Sequence, residues 1–320
     1  MRVGLIINNG ECGRWESFKV VDGKAYTLDN TLYNGPTSQD GIDGVLFRNI
    51  WNRPFMGTGG YFIKHSNNMP DVDLDVIFIV YETVGNPTPF VDSIRSKYPK
   101  AKIIGTTKEA IPGLDKKPVT NLQKLFSLCD SAAIQFNEEI CAKLTDTMGI
   151  KIHSLPVPYN LEYMREKYKT NSVENTLQNN RYIVAGSASW DPERGYDNCL
   201  DIANYLGEKY GYEVVKNYDN KSWHEWLELI NNASFVINTD TQHRLGQVTI
   251  ESIALGTPHL GGLSDTIKTV IPTYATNSKS EIESIFIDIL ENGYPDNYYY
   301  SKLEERYNFR ILNKKLKGLL

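Results

Sequence analysis

The chain has 320 residues, of which 41% are hydrophobic and 23% charged, and its mean hydropathy is -0.40. This globular composition suits about two domains and excludes disordered and fibrous chains. The net charge is -5 and the pI is near 5.7, so the chain as a whole lacks the basic excess of a nucleic-acid-binding protein. The cysteines form no close pair, which favours free thiols over disulfides or a zinc site; they are Cys12, Cys129, Cys141 and Cys199.

The N-terminus does not have the pattern of a signal peptide. Its apolar stretch, 3–7, is short and leads directly into turn residues. The sequence contains no run of about 18 apolar residues, the length that a membrane-spanning helix requires. These observations predict a cytoplasmic protein without a membrane span.

The first half alternates between short apolar runs and amphipathic segments. Strands are predicted at 3–7, 75–81, 101–105, 131–135 and 150–155, and helices at 89–97, 121–128 and 138–148. Residues 14–70 show only short strand or helix candidates. Strand–helix alternation at this spacing predicts a parallel α/β domain.

Pro156 and Pro158 make a stiff, extended connector, and the residues after it, 165–180, are polar with little apolar periodicity. The same alternation then restarts. Strands are predicted at 182–185, 212–215, 234–237 and from 259, and helices at 195–210, 222–231, 248–255 and 279–291. We therefore predict an N-terminal domain, 1–158, a second domain, 159–296, and a basic, aromatic helical segment, 297–320.

The segment 234–262 carries the clearest functional pattern. A buried strand leads through a polar loop to Gly246 and a helix. Gly246, Gln247 and Val248 would present backbone N–H groups at the helix N-terminus, which is an anion site. Glu251 follows one turn later, where its carboxylate would accept two sugar hydroxyls. The alternative is an ordinary strand–loop–helix unit in which Glu251 is a solvated charge.

Residues 251–258, ESIALGTP, resemble the donor-binding signature Glu-Ala-x-Ala-x-Gly-x-Pro of GT-B glycosyltransferases, especially the retaining family 4 enzymes. The resemblance implies two Rossmann-like domains facing each other across a cleft. It implies that Glu251 holds the nucleotide ribose. His243 stands where the family has an acid that touches the transferred sugar, and its side chain could hydrogen-bond that sugar instead.

A second segment, YIVAGSASWDPERGYDNCLDIANYL, resembles the opening of the family's donor domain, with Gly186 after the strand. The resemblance implies that Arg194 replaces the family's lysine and neutralises the diphosphate leaving group. Ser189 stands where the family has an arginine, and Arg244 is a candidate replacement for that cation.

Other parts of the family pattern are shorter. The resemblance implies that Gly10 and Gly13 lie in a loop facing the donor phosphates and the acceptor, and that the loop around Tyr218 grips the nucleobase. It also implies that the terminal segment crosses back to the first domain.

The implied activity is sugar transfer from a nucleotide-sugar donor, most simply UDP-glucose, with retention of configuration and no metal or other cofactor. An inverting enzyme would need a base in the first domain, for which His65 and Glu82 are candidates. Asp71 and Asp73 begin a D-x-D pattern, but it precedes a strand instead of following one, so we interpret it as a solvated loop.

Alternative functions remain open. One is a nucleotide-sugar 2-epimerase of the same fold, and another is a non-catalytic sugar- or nucleotide-binding protein. The acceptor is expected to be a saccharide, a lipid-linked group or another hydroxyl. The acidic charge does not favour a DNA acceptor, but four basic residues near the C-terminus keep a DNA-base glucosyltransferase as a minority alternative: Arg310, Lys314, Lys315 and Lys317.

Overall fold

The computed structural model describes residues 2–8, 18–21, 24–27, 60–63, 69, 71–81, 85–106, 120–155, 159, 161–168, 181–187, 195–216, 223–241 and 246–319. The described residues form two compact units. The first contains those between 2 and 159 together with 309–319, and the second contains 161–308.

The first unit is built on an eight-stranded sheet with the order β3-β2-β4-β1-β5-β6-β7-β8. Its strands are β1 (Val3–Asn8), β2 (Phe18–Val21), β3 (Lys24–Thr27), β4 (Gly60–Ile63), β5 (Val76–Tyr81), β6 (Lys102–Thr106), β7 (Ser131–Ile134) and β8 (Ile152–Ser154). The described helices that follow its parallel strands are α1 (Thr88–Lys97), α2 (Thr120–Leu128) and α3 (Glu138–Met148). Because β1 and β5 are central, their apolar side chains form the core.

One edge of this sheet departs from the predicted parallel arrangement. Strand β2 pairs antiparallel with both β3 and β4, whereas the other described pairs are parallel. Only two residues separate β2 from β3, which suits a hairpin and is far too short for a parallel crossover.

The second unit has a four-stranded parallel sheet with the order β10-β9-β11-β12. Its strands are β9 (Tyr182–Ala185), β10 (Glu213–Lys216), β11 (Phe235–Ile237) and β12 (His259–Leu260). Its helices are α4 (Leu161–Tyr168), α5 (Tyr196–Tyr210), α6 (Trp223–Asn232), α7 (Gln247–Leu255), α8 (Asp265–Val270), α9 (Lys279–Asn292) and α10 (Asp296–Tyr307), with a 3-10 turn at Pro272–Tyr274 between α8 and α9. The predicted α/β class is confirmed.

Two local features go beyond the sequence predictions. Helix α4 overlaps the start of the polar segment 165–180, because Leu161, Met164 and Tyr168 form a short buried stripe there. The terminal segment is two helices: α10 ends at Tyr307, the backbone of Asn308 is extended, and α11 (Phe309–Leu319) follows. Helix α11 belongs to the first unit, where Lys315 Nζ lies 2.8 Å from Glu138 Oε1.

The described cysteines Cys129, Cys141 and Cys199 are free thiols, as expected. None of the helices in the described ranges is long and apolar enough to cross a membrane.

A buried ion pair attaches α10 to α8. Arg306 Nη2 donates to Asp265 Oδ2 at 2.6 Å, and the Asp265 side chain is fully buried. Next to it, the hydroxyls of Tyr307 and Thr266 are 2.8 Å apart. A charge buried this deeply depends on its partner.

Replacing Arg306 by Met should therefore lower the free energy of unfolding by about 3–5 kcal/mol, since it strands the Asp265 carboxylate in the interior. Urea denaturation measures the effect. Lys302→Met, on the same helix, removes the exposed pair with Glu305 and is expected to cost much less, because solvent screens that pair. Equal losses in the two variants would contradict the importance of burial.

Candidate functional site

The candidate site lies at the carboxyl edge of the second-unit sheet. Parallel strands end at the same edge, so the segments after β9, β11 and β12 meet there. These segments are 186–187, 238–240 and 261–262. Ligands of open α/β sheets bind at this edge.

Hydrogen bonds join the ends of β9 and β11. Ser187 Oγ donates to Asn238 Oδ1 at 3.1 Å, and the same oxygen accepts the N–H of Asp240 at 2.9 Å. Thr239 Oγ1 donates to the carbonyl of Gly195, the residue before α5, at 2.7 Å. The edge of the sheet therefore sets where α5 begins.

Two helices start at this edge with glycine. Gly195 precedes α5 with φ +63°, and Gly246 precedes α7 with φ +81°; neither cap receives a side-chain hydrogen bond from the described residues. A Cβ on Gly195 would lie 2.5 Å from the Thr239 carbonyl oxygen, and one on Gly246 would overlap Ser264 Oγ. Because the first N–H groups of a helix have no intrahelical acceptor, both ends can bind an anion.

Gly186, the residue after β9, lies against α7. Its N–H donates to the Ile237 carbonyl at 2.7 Å, and an added Cβ would lie 3.2 Å from Val248 Cγ1. The structure therefore places Gly186 next to Val248, in the first turn of α7.

Glu251 is buried, with 1% of its surface exposed, so the interpretation as a solvated charge is wrong. Its Oε2 accepts the indole N–H of Trp226 at 2.8 Å, and its Oε1 accepts the amide of Gln247 at 3.0 Å. Trp226 was not among the sequence candidates, since its position on the apolar face of α6 resembles that of any core residue. The arrangement combines a buried carboxylate, which can accept hydrogen bonds from hydroxyl groups, with a helix start that no described side chain caps, which can bind an anion.

A buried polar row lies behind α7. His259 Nε2 is 3.2 Å from Thr249 Oγ1, which is 3.5 Å from Ser264 Oγ, beside Gly246. Burial lowers the pKa of His259 from 6.5 to about 3, so the imidazole is neutral. The sequence did not indicate this role, because His259 sits in a strand among apolar residues.

Nine sequence candidates lie outside the described residues and stay predictions: Gly10, Gly13, His65, Glu82, Ser189, Arg194, Tyr218, His243 and Arg244. The D-x-D segment is described, and it precedes β5 with Asp71, Asp73 and Asp75 exposed, as expected. Within the described ranges, no group of three His, Cys, Asp or Glu side chains is arranged to hold a metal ion.

No protein-family model and no curated protein sequence matches the chain. Several solved structures do match the chain. An α,α-trehalose-phosphate synthase (UDP-forming) from Burkholderia vietnamiensis is 10% identical with a TM-score of 0.59, covering 99% of this chain and 98% of its own. The pneumococcal O-GlcNAc transferase GtfA, in complex with UDP and GlcNAc, is 12% identical with a TM-score of 0.54, covering 76% of this chain and 56% of its own. The N-terminal domain of Candida albicans trehalose-6-phosphate phosphatase is 13% identical with a TM-score of 0.56, covering 90% and 79%.

These identities establish the fold alone. The two transferases among the three structures are GT-B glycosyltransferases, and the chain shares their α/β architecture. The present chain spans little more than half the length of the pneumococcal transferase, so that protein's activity as a whole does not transfer to it.

The buried imidazole makes stability depend on pH. The folded-state pKa of His259 lies below the unfolded value, so its contribution is present above pH 6.5 and is lost as the pH falls towards 3. Relative to His259→Gln, the wild-type protein should lose roughly 2 kcal/mol of unfolding free energy between pH 7 and pH 5. Urea denaturation at both pH values tests this, and parallel pH profiles would contradict it.

A second prediction follows from the glycine that caps α7. Gly246→Ala combines a left-handed φ with a clash against Ser264, whereas Gly211→Ala has φ +75° and open space around the added Cβ. Gly211→Ala should cost roughly 1–2 kcal/mol for its φ alone, and Gly246→Ala should cost more. Urea denaturation of the two variants provides the comparison. An equal loss of unfolding free energy would show that Ser264 moves aside freely.

Proposed function

We propose that the protein is a GT-B glycosyltransferase that moves a sugar from a nucleotide-sugar donor to an acceptor hydroxyl. The observation that carries this proposal is the carboxyl edge of the second unit, where α7 starts at a glycine that no described side chain caps, beside the buried carboxylate of Glu251. An anion site and a hydroxyl-binding carboxylate less than two helical turns apart suit the diphosphate and the ribose of one nucleotide.

Each part of the donor has a candidate partner. The N–H groups of Gln247 and Val248 would bind the diphosphate, together with Arg194 and Arg244. Glu251 would bind the ribose. Two further residues complete the donor site by resemblance: Tyr218 for the nucleobase and His243 for the transferred sugar.

The reaction needs stabilisation of the negative charge that develops on the leaving diphosphate. A helix N-terminus and guanidinium groups can supply it without a metal ion when they are in position before the reaction begins. We therefore propose metal-independent transfer, and the resemblance to the retaining family 4 enzymes supports retention of configuration. A uridine nucleotide, most simply UDP-glucose, is the proposed donor, supported by the UDP bound to the pneumococcal relative.

The first domain, 1–158, is the proposed acceptor side, with Gly10 and Gly13 facing the donor phosphates, and the second, 159–296, is the proposed donor domain. The proposed acceptor is a saccharide. His65 and Glu82 would act as base only if the enzyme inverts.

Calorimetric titration with UDP, GDP, ADP and their glucose conjugates, with and without EDTA, tests the donor site. We expect one nucleotide to bind with an affinity that EDTA leaves unchanged. Glu251→Gln should weaken binding roughly tenfold or more, because it removes the charge that strengthens the bonds to the ribose hydroxyls. Glu228→Gln, on the exposed side of α6, is the matched control and should bind like the wild type.

Several outcomes would contradict the proposal. The absence of nucleotide binding at millimolar concentrations would exclude a donor site. Binding without transfer or hydrolysis of any donor would indicate a non-catalytic nucleotide-binding protein. A product in which the nucleotide sugar is epimerised instead of cleaved would indicate a 2-epimerase, and loss of binding with EDTA would contradict metal independence.

A further inference from the structure

We infer that Trp226, together with Gln247, holds the carboxylate of Glu251 in the orientation that accepts the two hydroxyls of a ribose, and so sets a preference for ribonucleotides over deoxyribonucleotides. The inference rests on the proposed function, since it concerns the same donor site. It makes Trp226 a positioning residue that acts through Glu251.

The first step is the geometry of the carboxylate. Trp226 donates to Oε2 at 2.8 Å and Gln247 donates to Oε1 at 3.0 Å, so each oxygen has its own donor. Two donors on different oxygens define the plane of the carboxylate, whose last torsion is otherwise broad. An ionised carboxylate has about four acceptor positions, two on each oxygen.

The second step is the difference between the two donors. Trp226 is 5% exposed and its indole is rigid, with a single N–H that cannot turn to another acceptor without repacking the ring. Gln247 is the first residue of α7, is partly exposed and has a flexible side chain. Trp226 therefore supplies the permanent orientation, and Gln247 supports it from the side open to solvent.

The third step is the chemistry of the ligand. The two neighbouring hydroxyls of a ribose can each donate to one carboxylate oxygen, but only when the carboxylate plane faces the sugar edge. A carboxylate held in advance loses less rotational freedom on binding, which increases affinity. A 2′-deoxyribose lacks one of the two donors and gains less from that orientation.

The test compares each nucleoside diphosphate with its 2′-deoxy form by calorimetric titration, using UDP, GDP and ADP as pairs. The wild-type protein should prefer the ribonucleotide roughly tenfold in the pair that it binds, which corresponds to one hydrogen bond to a charged acceptor. Trp226→Phe keeps an aromatic ring but removes the N–H, and should reduce this preference to about twofold or less. Gln247→Met should reduce it in the same direction, and it provides the answer if Trp226→Phe does not fold.

A matched control separates positioning from packing. Tyr182→Phe also removes one hydrogen bond to α6, the one from the Tyr182 hydroxyl to the Leu229 carbonyl at 3.0 Å, without touching Glu251. A role limited to holding α6 in place would change the affinities for both members of a pair equally, and would do so in the Tyr182 and Trp226 variants alike. We expect Tyr182→Phe to keep the wild-type preference.

The outcomes separate the inference from the function on which it rests. If the wild type binds no nucleotide, the proposed function falls and the inference with it. If the wild type binds without preferring the ribonucleotide, or if Trp226→Phe or the folded Gln247→Met keeps the preference, the inference is overturned while the nucleotide site stands.

Discussion

The second unit depends on the burial of α7 along nearly its whole length. Every residue from Thr249 to Leu255 is buried, although the helix contains a glutamate and two hydroxyl residues. Burying a carboxylate without hydrogen-bond donors would be prohibitive, so the position of α6 is tied to Glu251 through the indole N–H of Trp226. The sheet, α4, α6, α8 and α10 then pack around a helix whose polar groups are already partnered.

The two ends of α7 are held in different ways. At the C-terminal end, Arg165 Nε donates to the Ala254 carbonyl at 3.1 Å, and the same guanidinium is paired with Asp296 at 2.5 Å. At the N-terminal end, Gly246 lies against Ser264, and Gln247 and Val248 are only partly buried. Among the described residues, α7 is thus fixed by side-chain hydrogen bonds at its C-terminal end and only partly buried at its N-terminal end, where an anionic ligand would bind.

Regular local patterns were predictable from the sequence. Helix α3 runs from Glu138 to Met148 as predicted, because Asn137 accepts the N–H of Ile140 at its start and Gly149 ends it with φ +65°. Strand β9 and helix α5 also follow from their apolar spacing. The same reasoning predicted the strand, glycine and helix around Gly246 and Glu251, and the binding role of that segment stays a prediction.

Features that depend on distant contacts were not predictable. Nothing near Trp226 in the sequence indicates that it faces Glu251, which is 25 residues away. The hydrogen bond between His259 and Thr249 was equally unpredictable, because it joins a strand to the helix before it. The division of the terminal segment at Asn308 reflects the transfer of α11 to the first unit, and no local breaker such as glycine or proline marks that point.

The polar row formed by His259, Thr249 and Ser264 bears on the proposed function. A helix N-terminus stabilises a developing charge well only if its N–H groups are already in position, because reorientation during the reaction would consume the gain. The row occupies the space behind the first turn of α7, and a neutral His259 satisfies Thr249 without placing a positive charge in the core. The left-handed Gly246 cap can then rest against Ser264 at a separation that no side chain at position 246 would permit. The position of the proposed anion site is therefore a consequence of how the core behind it is packed.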